Sequence, residues 1–228
     1  MNLKKVPILY SSMSINEYIT HRWYQHTDFN RTPWMQRIAQ FITRNKAPLK
    51  IRGGGHVEHH AETYDDMALK TDDERWMRSP AAKSLNSDPY RGTAFTWGVM
   101  VLMCVQMMPI TLPALALVGF SLKQSLIAIV VAVLGHTTIW NTLHPDMHGL
   151  PTVPLSWGPP SEVFAFLRGS AYFRWIYTNH EGHHVAGGLK NYNVCCPGTD
   201  HLLGTYMPQE EWLPMVRPRP VPAEPVVV

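Results

Sequence analysis

The residues best suited to chemistry are histidines, ten of which fall into four short groups among twelve in the chain. Neutral imidazole binds iron, copper, nickel and zinc through a ring nitrogen. A single pair of this kind can arise by coincidence, but two copies of His-x-x-His-His together with two further pairs favour metal binding. The groups are HRWYQH (His21, His26), HVEHH (His56, His59, His60), HPDMH (His144, His148) and HEGHH (His180, His183, His184).

Helical spacing indicates how each group presents its imidazoles. Positions i, i+3 and i+4 share one helix face, so each His-x-x-His-His group directs three imidazoles at one point or at two neighbouring points. His144 and His148 are one turn apart and suit one metal, and Pro145 is acceptable in the first turn of a helix. His21 and His26 would lie about 140° apart on an ideal helix, which favours two different metals.

The number of ligands favours iron over zinc. Ten histidines shared by two metals give five for each, which is too many for a closed tetrahedral zinc site. A metal with five or six ligands and an open position for dioxygen fits better. The sequence therefore predicts two iron ions, with dioxygen as co-substrate.

An apolar block between the second and third groups is predicted to position them. It divides at Gly119-Phe120-Ser121 into residues 94–118 and residues 122–140. A membrane span needs roughly 20 apolar residues, so the two stretches predict a transmembrane hairpin. A hairpin returns the chain to the same side of the bilayer, where all four groups can meet. The alternative is a buried helical hairpin in a soluble protein.

Basic residues predict the orientation of that hairpin. Fourteen Lys and Arg residues precede residue 94, five follow residue 140, and Lys123 alone lies within the hairpin. This bias places both polar halves in the cytoplasm, at the endoplasmic reticulum of a eukaryote or the inner membrane of a bacterium. The predicted fold class is an all-α integral membrane protein with a cytosolic helical cap that carries the histidines.

Other segments are predicted from local signals. Residues 14–42 favour helix, with a second helix beginning at Pro33. A third helix is predicted from Ser161-Glu162 through HEGHH, and its aromatic and arginine content suits a membrane interface. Residues 1–212 form the predicted catalytic domain, and the Pro/Val-rich residues 213–228 form a disordered tail.

Composition excludes several classes of protein. The net charge of +3 is too mild to favour a nucleic-acid partner. The three cysteines are Cys104, Cys195 and Cys196, a pattern that indicates neither a disulfide framework nor a zinc knuckle. We therefore expect the polar parts to face a reducing cytosol.

The order of the groups resembles that of the fatty-acid hydroxylase/sterol desaturase superfamily of membrane di-iron enzymes, and most closely its fatty acid 2-hydroxylase branch. The shared pattern is HxxxxH, HxxHH, hairpin, HxxxH, HxxHH. The run Asn191-Tyr192-Asn193 and the segment 200–205 (DHLLGT) are similar to the family's ending. The resemblance covers residues 18–206. It implies bound iron, dioxygen, an electron donor and a long apolar substrate.

The chain departs from that family in three respects. Only residues 1–20 precede the first group, where the family usually has another hairpin, so the chain is either a minimal version or incomplete at its N-terminus. The stretch between the first two groups is longer than is typical. Thr199 stands where the family has Trp, and no fused cytochrome domain is visible, which implies a separate ferredoxin or b-type cytochrome as donor.

Three residues outside the groups are expected to lie near the metal ligands and to support them: Asp200, His136 and His201. Asp200 can accept the N–H of a ligand imidazole or cap the following turn. His136 lies in the second apolar stretch, where a bond to a neighbour is expected ahead of an eleventh metal ligand. His201 is expected near the ligands or at the surface.

The predicted function is oxygen-dependent hydroxylation of an unactivated C–H bond in a fatty acyl or related lipid. A lipid or sterol desaturase and a carotenoid hydroxylase share the same ligands, so the sequence does not separate them. Two other classes are a membrane zinc-binding protein without catalysis and a structural hairpin whose histidines serve assembly.

Overall fold

The computed structural model describes residues 6–86, 88–159 and 162–219. Within these ranges the protein is helical, with one isolated bridge between Thr63 and Leu69 and no strand. The predicted all-α class is confirmed for this part of the chain.

Eleven α-helices are found in the described ranges, joined by one π-helical segment and three short 3₁₀ turns. The π-helical segment is Ile19–Gln25, and the 3₁₀ turns are Gly53–Gly55, Glu162–Leu167 and Leu213–Met215. The α-helices are α1 (Val6–Tyr18), α2 (Asp28–Arg31), α3 (Pro33–Thr43), α4 (His56–Glu62), α5 (Glu74–Met77), α6 (Pro80–Leu85), α7 (Trp97–Leu117), α8 (Leu122–Met147), α9 (Ala171–Val185), α10 (Thr199–Leu203) and α11 (Gln209–Trp212).

The two apolar stretches form α7 and α8, each long and apolar enough to cross a membrane. A capping box starts α8, because the Ser121 side chain accepts the N–H of Gln124 while the Gln124 side chain accepts the N–H of Ser121. The helix was predicted to end at Trp140 but continues to Met147. Pro145 therefore lies in the last turn of α8, and the apolar helix itself carries the third histidine group.

Helix α1 packs against both α7 and α8. Met103 and Ile129 are fully buried in the shared core, where Phe95 stacks on Trp140 with ring centroids 4.4 Å apart. A polar contact fixes α1 on α7, because the Gln106 amide donates to Asn16 Oδ1 at 2.6 Å. This packing holds the chain before the first histidine group against the hairpin.

Two segments differ from the sequence prediction. The helix predicted from Ser161 through HEGHH is interrupted at Gly169, whose φ of +78° is left-handed, and α9 begins anew with Ser170 as its N-cap. Within the predicted disordered tail, residues 213–219 are held in place, because Arg217 binds Asp65 through its backbone and guanidinium nitrogens. Residues 220–228 lie outside the described part.

Candidate metal centre

The ten histidines gather in two adjoining groups. Five histidines form a first cluster, in which the ligand nitrogens lie within 4.8 Å of one another. Four others belong to a second cluster, and their ligand nitrogens also lie within 4.8 Å of one another. His180 completes the second cluster, with its Nε2 3.3 Å from His148 Nε2 and 3.1 Å from His184 Nε2. The first cluster is His21, His26, His56, His60 and His183, and the second is His59, His144, His148, His180 and His184.

The two His-x-x-His-His helices each serve both clusters. On α4, His59 points to the second cluster and its two companions to the first, whereas on α9 only His183 belongs to the first. His60 and His184 stack with ring centroids 4.1 Å apart, so the clusters touch. The sequence left open whether each group would serve one point or two, and the structure shows two. The prediction that His144 and His148 would lie together is confirmed.

The prediction for the first pair is wrong. His21 and His26 lie in the same cluster, with their Nε2 atoms 3.2 Å apart. The cause is the π-helical segment, in which the N–H of His26 donates to the carbonyl of His21 at 2.9 Å. That i+5 hydrogen bond widens the turn and brings positions i and i+5 to one face.

Backbone carbonyls set the tautomer of five ligands. A carbonyl oxygen only accepts, so Nδ1 must carry the proton and Nε2 must carry the lone pair that a metal needs. Four distances are 2.5 Å for His21 to Tyr192 O, 2.6 Å for His56 to Gly92 O, 3.0 Å for His148 to Met67 O and 2.5 Å for His183 to Lys190 O. His144 Nδ1 donates to Thr93 O in the same way.

The spacing of the Nε2 atoms fits a bound cation. The lone pairs of His21 and His56 face each other at 2.8 Å with no proton between them. Imidazole nitrogens lie about 2.1 Å from zinc, and two such nitrogens at right angles are about 3.0 Å apart. The other first-cluster distances are 3.2 Å (His21–His26), 3.0 Å (His26–His183), 3.1 Å (His183–His60) and 3.2 Å (His60–His56).

The second cluster shows the fit in another way. Both nitrogens of His59, Nε2 of His144 and Nδ1 of His180 are buried without a hydrogen-bond partner among the described residues. Leaving such an atom unpartnered costs roughly 1–3 kcal/mol. A metal ion bound to Nε2 of His59 and to Nε2 of His144 would supply the missing partner of those two atoms. The second cluster is therefore suited to hold a metal ion.

Burial keeps the ligands neutral. Nine of the ten are buried and His60 is partly buried. Desolvation lowers the pKa of His56 and His148 to about 4 and that of His183 to about 3. Neutral imidazole is the form that binds metal, so at neutral pH the clusters present lone pairs and not positive charge.

Among the described residues, Asp200 hydrogen-bonds to no imidazole, in contrast to one predicted role, and its carboxylate accepts no N–H from the next turn. It accepts the backbone N–H of Tyr192 at 3.1 Å and of Asn193 at 2.6 Å, and the Thr205 hydroxyl at 2.6 Å. The carbonyl of Tyr192 in turn accepts the proton of His21. Asp200 therefore positions a ligand through the backbone.

The other two predicted neighbours lie away from the clusters. His136 is buried, and its Nδ1 is 3.8 Å from Cys196 Sγ in a separate grouping with Glu17 and Cys195. His201 is exposed and stacks on Tyr206, which fits the predicted surface position.

Glu17 was not found from the sequence, although it is fully buried. Its carboxylate accepts the backbone N–H groups of Val194, Cys195 and Cys196 at 2.7–2.8 Å. Burial raises its pKa to about 7. Since its oxygens are already occupied by these donors, we interpret Glu17 as the anchor that ties the loop after α9 to α1.

Trp140 was also missed, although it lies one turn before His144 on α8. Its ring centroid is 5.5 Å from that of His21 and 4.7 Å from that of His144, so it contacts both clusters. Its Nε1 donates to Thr93 O at 2.9 Å, the carbonyl that also accepts from His144.

Comparison of the chain with protein-family models, curated proteins and solved structures finds no match. The class that fold and site define is a helical protein with two long apolar helices and buried histidine clusters that can hold metal ions.

Proposed function

We propose that the chain is a membrane-bound non-heme di-iron oxygenase that hydroxylates an unactivated C–H bond of a fatty acyl or related lipid. It uses dioxygen and electrons from a separate donor. The observation that carries the proposal is the pair of adjoining five-histidine clusters. Their neighbouring Nε2 atoms are separated by the distance expected between two nitrogens bound to one metal ion.

The surface of the hairpin supports membrane insertion. The core helix of a soluble protein would cover its apolar side chains, whereas α7 and α8 leave many exposed. These exposed apolar side chains occur along the length of both helices. Examples are Val101, Val105, Ile110, Leu117, Ile127, Val130 and Val131.

The hairpin also supports a lipid substrate. His144 lies near the end of α8, so the second cluster is continuous with the helix that would line the bilayer. We therefore propose that the lipid approaches the second cluster along the apolar surface of α8.

The chain's own residues would bind and orient the metals. Bound iron would supply the reduction of dioxygen and the removal of hydrogen from carbon. The carbonyls of Tyr192, Gly92, Thr93, Met67 and Lys190 hold the proton at Nδ1 and leave Nε2 free. Burial of the clusters excludes water. The Asp200 carboxylate fixes the position of Tyr192 by accepting its backbone N–H.

Metal analysis of the purified chain tests the first half of the proposal. We expect about two irons per chain when it is expressed with iron in excess, since ten neutral ligands exceed what closed zinc sites use. Stoichiometric zinc with no oxygen-dependent product would instead favour the non-catalytic zinc-binding class. Zinc with product would reflect replacement during expression.

Lipid mass spectrometry tests the second half. A host that expresses the chain with a ferredoxin or b-type cytochrome and its reductase should accumulate lipids with one added oxygen, labelled by ¹⁸O₂. Lipids that lose two hydrogens would identify a desaturase. Unchanged lipids and metal content in His59→Ala and His183→Ala would favour the structural hairpin class.

A further inference from the structure

Helix α3 presents an apolar face that is largely exposed in the described structure, where Trp23 contacts the edge of it at Trp34. Trp34, Ile38, Phe41 and Ile42 are 54%, 51%, 85% and 72% exposed. At about 100° per residue, these four side chains fall within an arc of about 100° on the helix surface. The arc is continuous, because its members follow the i, i+4, i+7 and i+8 spacing.

The opposite side of α3 is fixed to the rest of the protein. Gln36 is buried there, and its amide donates to Phe29 O at 3.1 Å and to Leu49 O at 2.9 Å. Its Oε1 accepts the N–H of Leu49 at 3.0 Å, and Asn30 pairs in the same manner with Ile51. The polar side is thus held inward, and the apolar arc is held outward.

The charge around this arc has one sign. No Asp or Glu occurs between Asp28 and Glu58, whereas six exposed basic residues do. One of them, Arg31, pairs with Asp28. On the helix, Arg37 falls on one flank of the arc, about 60° from Trp34, and Arg44 follows as the C-cap. The six are Arg31, Arg37, Arg44, Lys46, Lys50 and Arg52.

We propose that α3 and the basic segment after it bind the surface of an anionic bilayer, with the apolar arc in the headgroup region and the Lys and Arg side chains on lipid phosphates. Apolar side chains on one face and Lys or Arg beside them are the features of interfacial helices. Each basic residue near an anionic surface strengthens binding roughly fivefold. This contact of α3 with the bilayer surface is additional to the membrane contact of the α7–α8 hairpin. It does not require bound metal.

Charge and shape together favour a bilayer over other occupants. A nucleic acid would bind the basic side chains and leave Phe41 and Ile42 in water. A second copy of this chain would bring six more basic residues against the same surface, which like-charge repulsion opposes. An anionic lipid surface satisfies the apolar arc and the positive charge together.

The test uses the full chain in vesicles of phosphatidylcholine, with and without phosphatidylserine. An environment-sensitive fluorophore is attached in Phe41→Cys. The matched control is Thr43→Cys, an exposed position near the C-terminal end of α3 that points away from the apolar arc. A labelled sample without the added cysteine corrects for Cys104, Cys195 and Cys196. Quenchers attached to lipid are compared with quenchers dissolved in water.

We expect the label at position 41 to be quenched several-fold more by the lipid-attached quencher than the label at position 43, and most strongly with phosphatidylserine. Arg44→Glu with Lys46→Glu should remove the phosphatidylserine dependence. A label at position 41 that stays open to the water-soluble quencher in both vesicles overturns the proposal. Shielding that follows the protein-to-lipid ratio and ignores lipid charge also overturns it, in favour of a protein partner. Lipid oxidation is not measured, so failure here leaves the oxygenase proposal untouched.

Discussion

The two clusters differ in how completely hydrogen bonds hold their imidazoles. In the first cluster, His21, His56 and His183 each donate Nδ1–H to a backbone carbonyl. In the second cluster, His144 and His148 are held in the same way. Among the described residues, however, His59 has no hydrogen-bond partner at either nitrogen, and His180 has none at Nδ1. Carbonyl acceptors fix the ring plane before a metal arrives. We infer that the first cluster is preorganised by loops, whereas the second depends on its metal for part of its order.

The largest effect is expected from adjacent ligands that belong to different clusters. His59→Ala and His60→Ala should each reduce product formation by at least about a hundredfold, because the proposed reaction requires a metal ion in each cluster. Each variant should lose about half of the bound metal, measured by elemental analysis, and the double variant should lose nearly all of it. Complete metal loss in one single variant would show that the clusters are not separate sites.

A pair of neighbouring glycines tests how the first cluster is shaped. Gly187 and Gly188 both have positive φ, +65° and +74°, but an added Cβ overlaps the His26 ring only at Gly188. Both Ala variants should lose about 1–2 kcal/mol of unfolding free energy from backbone strain. Only Gly188→Ala should also lower metal affinity, by about tenfold or more, through displacement of His26. Equal metal affinities in the two variants would contradict this role.

Asp200→Asn should produce a smaller loss confined to the first cluster. The amide keeps the shape but replaces one acceptor with a donor that faces a backbone N–H or the Thr205 hydroxyl. Metal affinity at one of the two sites should fall about tenfold, because Tyr192 O would hold His21 less firmly. Thr205→Val serves as control, since it removes a contact of Asp200 without touching the backbone pair. A loss at both sites would assign Asp200 a general folding role.

A separate effect, on folding stability, is the pH dependence of the metal-free protein. The pKa values of His56 and His183 are about 4 and about 3 in the folded state, below the usual 6.5. The unfolded chain therefore takes up protons first as the pH falls. Stability should be complete above pH 6.5 and decrease as the pH falls from 6.5 towards 4, by up to about 1.4 kcal/mol per pH unit for each histidine. Urea unfolding at several pH values measures this slope, and a flat profile would contradict it.

Much of the fold could be predicted because its signals are local. Apolar runs of sufficient length located α7 and α8, Pro33 located the start of α3, and the His-x-x-His-His spacing located α4 and the end of α9. Helix geometry also predicted that each His-x-x-His-His group would present its three imidazoles on one face, although it left open whether they would serve one point or two. These features depend on residues close together in sequence.

The rest could not be predicted because it depends on contacts between distant segments. The π-helical turn at Ile19–Gln25 changes the face of His26, and no composition marks it. The acceptors that orient five histidines are backbone carbonyls, which every residue possesses. Asp200 acts through the backbone N–H groups of Tyr192 and Asn193, a contact that its residue type does not reveal.

The indole of Trp140 lies within ring contact of both clusters and shares the Thr93 carbonyl with His144. It is fully buried, so its emission is insensitive to solvent quenchers. A paramagnetic ion bound by histidines in ring contact with an indole quenches the fluorescence of that indole. The difference in fluorescence between the protein and Trp140→Phe therefore reports the metal occupancy of the clusters. It can be followed during a metal titration, without any catalytic turnover.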